Sequence, residues 1–207
     1  MDLEKNQNKN NTFGHYFVND DNLKSEIKEF NIDLFGYRFK FKTDNGVFSK
    51  GELDFGTELL IKTVINENIS GNILDLGCGY GAIGIILNKI LHLNVDMVDI
   101  NKRAIHLTKM NIKENECSNA RTFLSDGYTN IDKKYDVIVS NPPIRIGKNK
   151  LYELIKNSKS YLTKNGKLYL VIRKEQGAKT FIRDFENYYM IDILEKKKGF
   201  YIILLKS

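Results

Sequence analysis

The chain has 207 residues, of which 42% are hydrophobic and 28% charged, and its formal net charge is +6. That length and balance fit one globular domain with a sizeable core and exclude a disordered polymer, while no apolar run approaches the ~20 residues of a membrane-crossing helix. The excess of positive charge permits a polyanionic partner without requiring one.

Residues 1–12 are polar and rich in Asn and Lys; they read as a disordered tail and lack the apolar core of a signal peptide. Residues 13–45 read as a β extension, in which NIDLF and YRFKFKT alternate apolar and polar residues around Gly36 as a hairpin does. Residues 46–207 then alternate helix and strand patterns. A helix opens near Thr57 and carries Leu59, Leu60 and Val64. NILDL is a short strand, and the next helix places Ile83, Ile86, Leu87, Ile90 and Leu91 on one face. NVDMVDI is a second strand, and Asn101 is placed to cap the helix KRAIHLTKMNIKEN. ARTFLS and YDVIVS are the third and fourth strands. LYELIKNSKSYL is a helix that ends at the turn TKNG, before the strand KLYLVIR. A helix around AKTFIRDFENY precedes two last strands, YMIDIL and FYIILL, joined by EKKKG. The alternation predicts an α/β fold with a Rossmann-like, doubly wound, mostly parallel sheet. EKKKG is too short for a parallel crossover, so the last two strands run antiparallel. Cys78 and Cys117 lie far apart without metal-ligand spacing and read as free thiols of a reducing cytoplasm.

Gly77, Gly79 and Gly81 follow a strand and open a helix, and Gly79, Gly81 and Gly84 fit the G-x-G-x-x-G pattern. Asp99 ends the following strand, about 20 residues on, where folds of this type bind ribose hydroxyls. NAD and S-adenosylmethionine (SAM) both fit at this point. Asp75 separates them, because a carboxylate at the end of the strand repels a pyrophosphate and attracts the ammonium of a methionine moiety. Its plain alternative is a turn cap.

LDLGCGYGAIG resembles the SAM-binding motif of class I methyltransferases, and VDI with Asp99 resembles their ribose-binding acid. The resemblance covers roughly residues 46–207. It implies SAM as cofactor and a seven-stranded sheet with a reversed seventh strand. It implies cofactor contacts at Asp75, Gly77, Gly79, Gly81, Asp99, Ile100, Asp126, Gly127 and Asn141, with Asp126 meeting the adenine amino group.

Both prolines of the chain, Pro142 and Pro143, stand in SNPPI, at the end of an apolar strand. This resembles the (Asn/Asp/Ser)-Pro-Pro-(aromatic) motif of methyltransferases that act on planar exocyclic or amide nitrogens. Such a nitrogen delocalises its lone pair and is a poor nucleophile. The side-chain oxygen of Asn141 and the carbonyl of Pro142 can each accept one N–H, which favours the pyramidal nitrogen of the transition state. Proline fixes φ and restricts the residue before it, so the loop is set in advance. Ile144 departs from the motif, since it offers apolar contact where an aromatic would stack on a base. GVFSKGELDFGTELL, DLGCGYG and SNPPIRIGK together resemble the small-subunit ribosomal RNA guanine-N2 methyltransferases, in particular their short single-domain relatives. The resemblance implies catalysis at Asn141, Pro142, Pro143 and Ile144. Two-domain members carry an extra amino-terminal domain, so the RNA docking which that domain supplies is expected here to come from elsewhere or to be missing.

Phe48, Ser49, Asp54 and Thr57 are expected to fold over the cofactor, with Asp54 or Thr57 as a helix cap. Arg145, Lys148 and Lys150 follow the proline loop and suit phosphates, with exposed loop charge as the rival reading, while Lys196, Lys197 and Lys198 read first as a solvated hairpin tip and second as an RNA contact. His15, His92 and His106 have no site around them, and no metal is expected. The function expected is SAM-dependent methylation of an exocyclic base amine of RNA, guanine N2 of small-subunit ribosomal RNA first. The rivals are an enzyme of the same loop type acting on a protein glutamine amide or DNA adenine, an NAD-dependent oxidoreductase, and an RNA-binding protein without turnover.

Overall fold

A computed structural model describes residues 24–47, 51–142 and 146–207. The parallel part of its sheet is centred on the strand β3 (Ile73–Leu76), four residues that are all buried. β4 (Val95–Asp99) and β6 (Tyr135–Ser140) pair with it in parallel on either side. β5 (Ala120–Leu124) and β7 (Leu162–Arg173) extend the parallel sheet outward. β8 (Met190–Lys197) and β9 (Phe200–Lys206) complete seven strands in the order β5-β4-β3-β6-β7-β9-β8. β9 enters between β7 and β8, antiparallel to both. The predicted α/β sheet with a reversed final pair is therefore the observed one.

Two faces of the sheet carry two cores. Val139, Tyr169, Val171, Ile202 and Leu204 face one way, together with residues of α1 (Phe55–Asn66) and α2 (Ala82–Leu91). α3 (Lys102–Glu114) lies on the same side. Ile138, Leu170, Ile172, Ile203 and Leu205 face the other way, against α4 (Lys148–Tyr161) and α5 (Ala178–Phe185). The two-residue period of a strand makes this division, and helices covering both faces account for near-continuous apolar strands.

The hairpin β1 (Lys28–Leu34) and β2 (Tyr37–Thr43) packs beside α3 as a separate two-stranded sheet. Phe35 and Gly36 turn it with φ of 51° and 78°. Positive φ at both central residues suits the right-handed twist of the strands. Asn111 of α3 and Asn115, the residue that caps its carboxyl end, close the hairpin's inner edge. Their side chains pair with the N–H and carbonyl of Lys42 and of Lys40, at 2.8–3.1 Å.

Two boundaries differ from the sequence reading. The turn expected at TKNG belongs to β7, which begins at Leu162 opposite Tyr135 and slips register before Val137. The link between β8 and β9 is only Lys198 and Gly199, at φ 48° and 80°, and the lysines before it continue the strand. A bulge and a two-residue turn are both set by the partner strand, which local periodicity does not report.

Candidate active site

The carboxyl ends of four adjacent strands are joined by hydrogen bonds. Ser140, at the end of β6, donates its hydroxyl to the carbonyl of Leu76 on β3 at 2.6 Å. The amides of Gly77 and Cys78 donate to Val98 on β4, both at 2.9 Å. The amide of Ser125, after β5, donates to the carbonyl of Asp99 at 3.0 Å. The chain steps outward from β3 to β4 and β5, then returns to β6 on the opposite side of β3. A crevice opens at such a reversal, outside the carboxyl ends of the strands.

The glycine turn directly follows the carboxyl end of β3, at this reversal. Gly77, Gly79 and Gly81 have φ of 75°, 58° and 89°. A Cβ at Gly79 would meet nothing nearer than Val47 at 4.0 Å, so its backbone angle, and not crowding, selects glycine. Gly84 is selected by the opposite cause: a Cβ there would stand 2.4 Å from Met97 on β4. α2 thus lies directly against the sheet.

Asp99 holds the turn from the side. Its Oδ2 accepts from the Gly79 amide and its Oδ1 from the Asn101 amide, both at 2.9 Å. Burial raises its pKa against the pull of those amides. α3 holds the turn from behind, with the Thr108 hydroxyl donating to the Gly79 carbonyl at 2.9 Å and Asn111 to the Tyr80 carbonyl at 2.8 Å. Sequence reasoning passed over Thr108 and Asn111. Their signal was present, as two polar residues on the buried face of an otherwise apolar helix stripe.

Asp75 is fully buried on the same side of the sheet. Its Oδ2 accepts from the Gly84 amide at 2.9 Å, while its Oδ1 has no hydrogen-bond partner among the described residues. Burial pushes its pKa up to about 7, the Gly84 amide pulls against this, and nearby Asp99 adds to the rise. Cys78 lies close by, and burial, then the charges of Asp75 and Asp99, raise its thiol well above the ordinary value. It is no nucleophile at neutral pH.

Ile100 follows Asp99 at the carboxyl end of β4 and is 39% exposed. Asp126 is exposed in the turn after β5, beside Gly127 at φ 53°. Ser125 shapes that turn, donating to the Gly127 carbonyl at 2.9 Å and accepting from the Asn130 amide at 3.1 Å. Asn141 is half-buried directly after β6, and Pro142 is buried. Pro143, Ile144, Arg145, Phe48, Ser49 and His15 lie outside the described residues. Asp54 is the cap of α1, accepting from the amides of Gly56 and Thr57 at 3.1 Å. Lys148 turns to Asp184 on α5, at 3.0 Å, while Lys150 is exposed. His92 ends α2 in a left-handed conformation, and His106 is exposed on α3.

Known proteins resemble this chain in sequence and in fold. An uncharacterized Bacillus subtilis protein, YbxB, is 37% identical over 197 residues, covering 93% of this chain and 98% of its own length. A ribosomal RNA small subunit methyltransferase C from Haemophilus influenzae is 36% identical over 151 residues, which are 70% of this chain but 45% of that protein. The chain thus spans less than half the length of that relative. A Thermus thermophilus 16S rRNA N2 methyltransferase (RsmC), solved with AdoMet and guanosine, superposes with a TM-score of 0.79 at 21% identity. That superposition covers 89% of this chain and 52% of the other, and shows the common fold. Residues 38–204 match the family model of the methyltransferase small domain, and the chain belongs to that family.

Proposed function

We propose that this protein transfers a methyl group from SAM to an exocyclic base amine of RNA, with guanine N2 of small-subunit ribosomal RNA as the target. The observation that carries the reading is the position of Asn141 at the carboxyl end of β6, one strand from the glycine turn and joined to it through Ser140 and Leu76.

The residues fit SAM. The buried Oδ1 of Asp75, without a partner among the described residues, matches a cationic donor such as the methionine ammonium. Asp99 spends one lone pair of each oxygen on the Gly79 and Asn101 amides, which leaves others for ribose hydroxyls. Ile100 offers an exposed apolar surface beside Asp99 for an adenine ring. When bound, SAM supplies an electrophilic methyl on a sulfonium. The chain then has to orient the accepting nitrogen. Asn141 Oδ1 and the Pro142 carbonyl each take one N–H of the amine, which draws its lone pair out of conjugation.

The charge around the catalytic end favours RNA as the substrate. Arg173 ends β7 and Lys174 follows it, and Lys196, Lys197 and Lys198 close the β8–β9 hairpin, all exposed. Lys198 stands 4.7 Å from the Phe55 ring at the start of α1, and Arg173 stands 4.7 Å from the Phe200 ring. α1 also carries Thr57, which Asn141 reaches at 2.9 Å. The basic rim therefore continues into the catalytic loop and suits a phosphate backbone. A paired base could not reach a crevice of this kind, so the target is unpaired or flipped out. The names of the Haemophilus and Thermus relatives point to the same substrate class.

The test is nucleoside mass spectrometry of small-subunit ribosomal RNA from a deletion strain and its parent. Loss of N2-methylguanosine is expected, restored by the wild-type chain and not by Asn141→Ala, whose rate falls ~10²-fold or more because one transition-state hydrogen bond is missing. An unchanged set of ribosomal nucleosides would move the substrate to another class.

A further inference from the structure

Asn141 has two ends, and only one serves the proposed chemistry. The carbonyl oxygen accepts a hydrogen from the substrate amine, whereas the NH2 would oppose it. An asparagine free to flip would spend part of its time reversed. Thr57 settles the direction. Its Oγ1 lies 2.9 Å from Asn141 Nδ2 and is also bonded to Asp54 Oδ2. The Asp54 carboxylate only accepts, so the Thr57 proton goes to Asp54 and a Thr57 lone pair faces Asn141. Only the NH2 end can pair with that lone pair. Oδ1 of Asn141 then faces away from Thr57.

Asp54 is itself fixed. Its Oδ1 accepts from the Gly56 and Thr57 amides, at the amino end of α1, where the helix dipole favours a negative group. Thr57 is 5% exposed, so bulk water does not compete for its hydroxyl. Gly56 is pinned between them, because a Cβ there would stand 2.6 Å from Phe200.

We propose that Asp54 and Thr57 are positioning residues that set the polarity of the Asn141 amide and thereby commit the site to substrates presenting an N–H donor. This rests on the reading that Asn141 accepts from the substrate amine. It assigns α1 a task separate from holding the cofactor.

Two variants test it. Thr57→Val keeps shape and removes both hydrogen bonds; Thr57→Ser keeps the hydroxyl. Methyl transfer to ribosomal RNA is expected to show kcat lowered ~10- to 100-fold in Thr57→Val, the scale of a misplaced catalytic group. SAM and RNA dissociation constants are expected to stay within about twofold, and Thr57→Ser to keep most of the rate, since the orienting hydroxyl remains. A Thr57→Val enzyme with unchanged kcat would overturn the proposal, as would a Thr57→Ser enzyme equally impaired. Asn141→Asp supplies a second criterion. A carboxylate has two equivalent oxygens and no direction to set, so adding Thr57→Val to Asn141→Asp should cost much less than in wild type; an equal cost would overturn the proposal. NMR of the Asn141 side-chain amide reads the orientation without turnover. A slowly exchanging NH in the wild type, lost in Thr57→Val, is expected, and an exchange rate unaffected by Thr57→Val counts against the relay. A wild type that methylates no RNA would refute the RNA reading and leave this NMR result to decide the relay.

Discussion

At the scale of single residues, Asp75 gives the most direct pH dependence. Burial pushes its pKa up to about 7 from the ordinary 3.8, with the Gly84 amide working in the opposite direction. In the free protein at pH 6 it is mostly protonated and cannot pair with a cation. SAM affinity measured by calorimetry is therefore expected to weaken as pH falls from about 7.5 to 6, by up to about tenfold for each pH unit below the pKa. Asp75→Asn should bind weakly and lose this dependence; a wild-type affinity flat over that range would remove Asp75 from the cofactor site. The stability sign is opposite. A carboxyl whose folded pKa is raised contributes stability below its unfolded value near 3.8, and that contribution is lost as pH rises through about 7. Asp75 and Asp99 could be placed from the sequence because each sits at a fixed offset from the glycine turn. The pairing of Thr57 with Asn141 could not, since 84 residues separate them and only the closed sheet brings them together.

Among the elements, strands and helices were readable where an apolar run of the right length is bounded by turn or capping residues. The four-residue β3, buried throughout, and α2, buried from Ala82 to Asn88, are examples. What periodicity missed is set by neighbours: the register slip in β7, the tight β8–β9 turn, and the polar seam between α3 and the hairpin. That seam carries the element-scale prediction. Asn111 meets Lys42 N at 2.8 Å, Lys42 O at 2.9 Å and Tyr80 O at 2.8 Å, and so ties the hairpin to the glycine turn. Asn111→Ala leaves these buried groups without partners and is expected to cost about 2–4 kcal/mol in denaturant unfolding. Weaker SAM binding should accompany it, because the turn loses its rear support. Unchanged stability would mean that water replaces the amide. The ion pairs beside the seam, among Glu29, Lys40, Lys42 and Glu114, are largely exposed and contribute little by comparison.

For the whole molecule, the distribution of charge matters more than its sum. The net +6 is modest, yet five exposed cations gather at the carboxyl end of the parallel sheet, at Arg173, Lys174 and Lys196 to Lys198. Composition alone could not locate them, because the fold brings two distant segments side by side through the pairing of Arg173 with Phe200. Reversing Lys196, Lys197 and Lys198 to Glu is expected to weaken RNA binding and to flatten its salt dependence, by about 0.7 to 0.9 in log–log slope for each phosphate that is no longer neutralised. SAM affinity should be unaffected. An unchanged slope would show that RNA docks on another face. The sheet order has one more consequence, which concerns synthesis. β9 is last in chain order, yet it is inserted between β7 and β8, and Ile202, Ile203, Leu204 and Leu205 are at most 2% exposed. Until those residues leave the ribosome, β7 has an open edge and both cores lack a wall. A nascent chain ending at Gly199 should therefore be insoluble and protease-sensitive, so the enzyme is produced only when translation of this strand is finished.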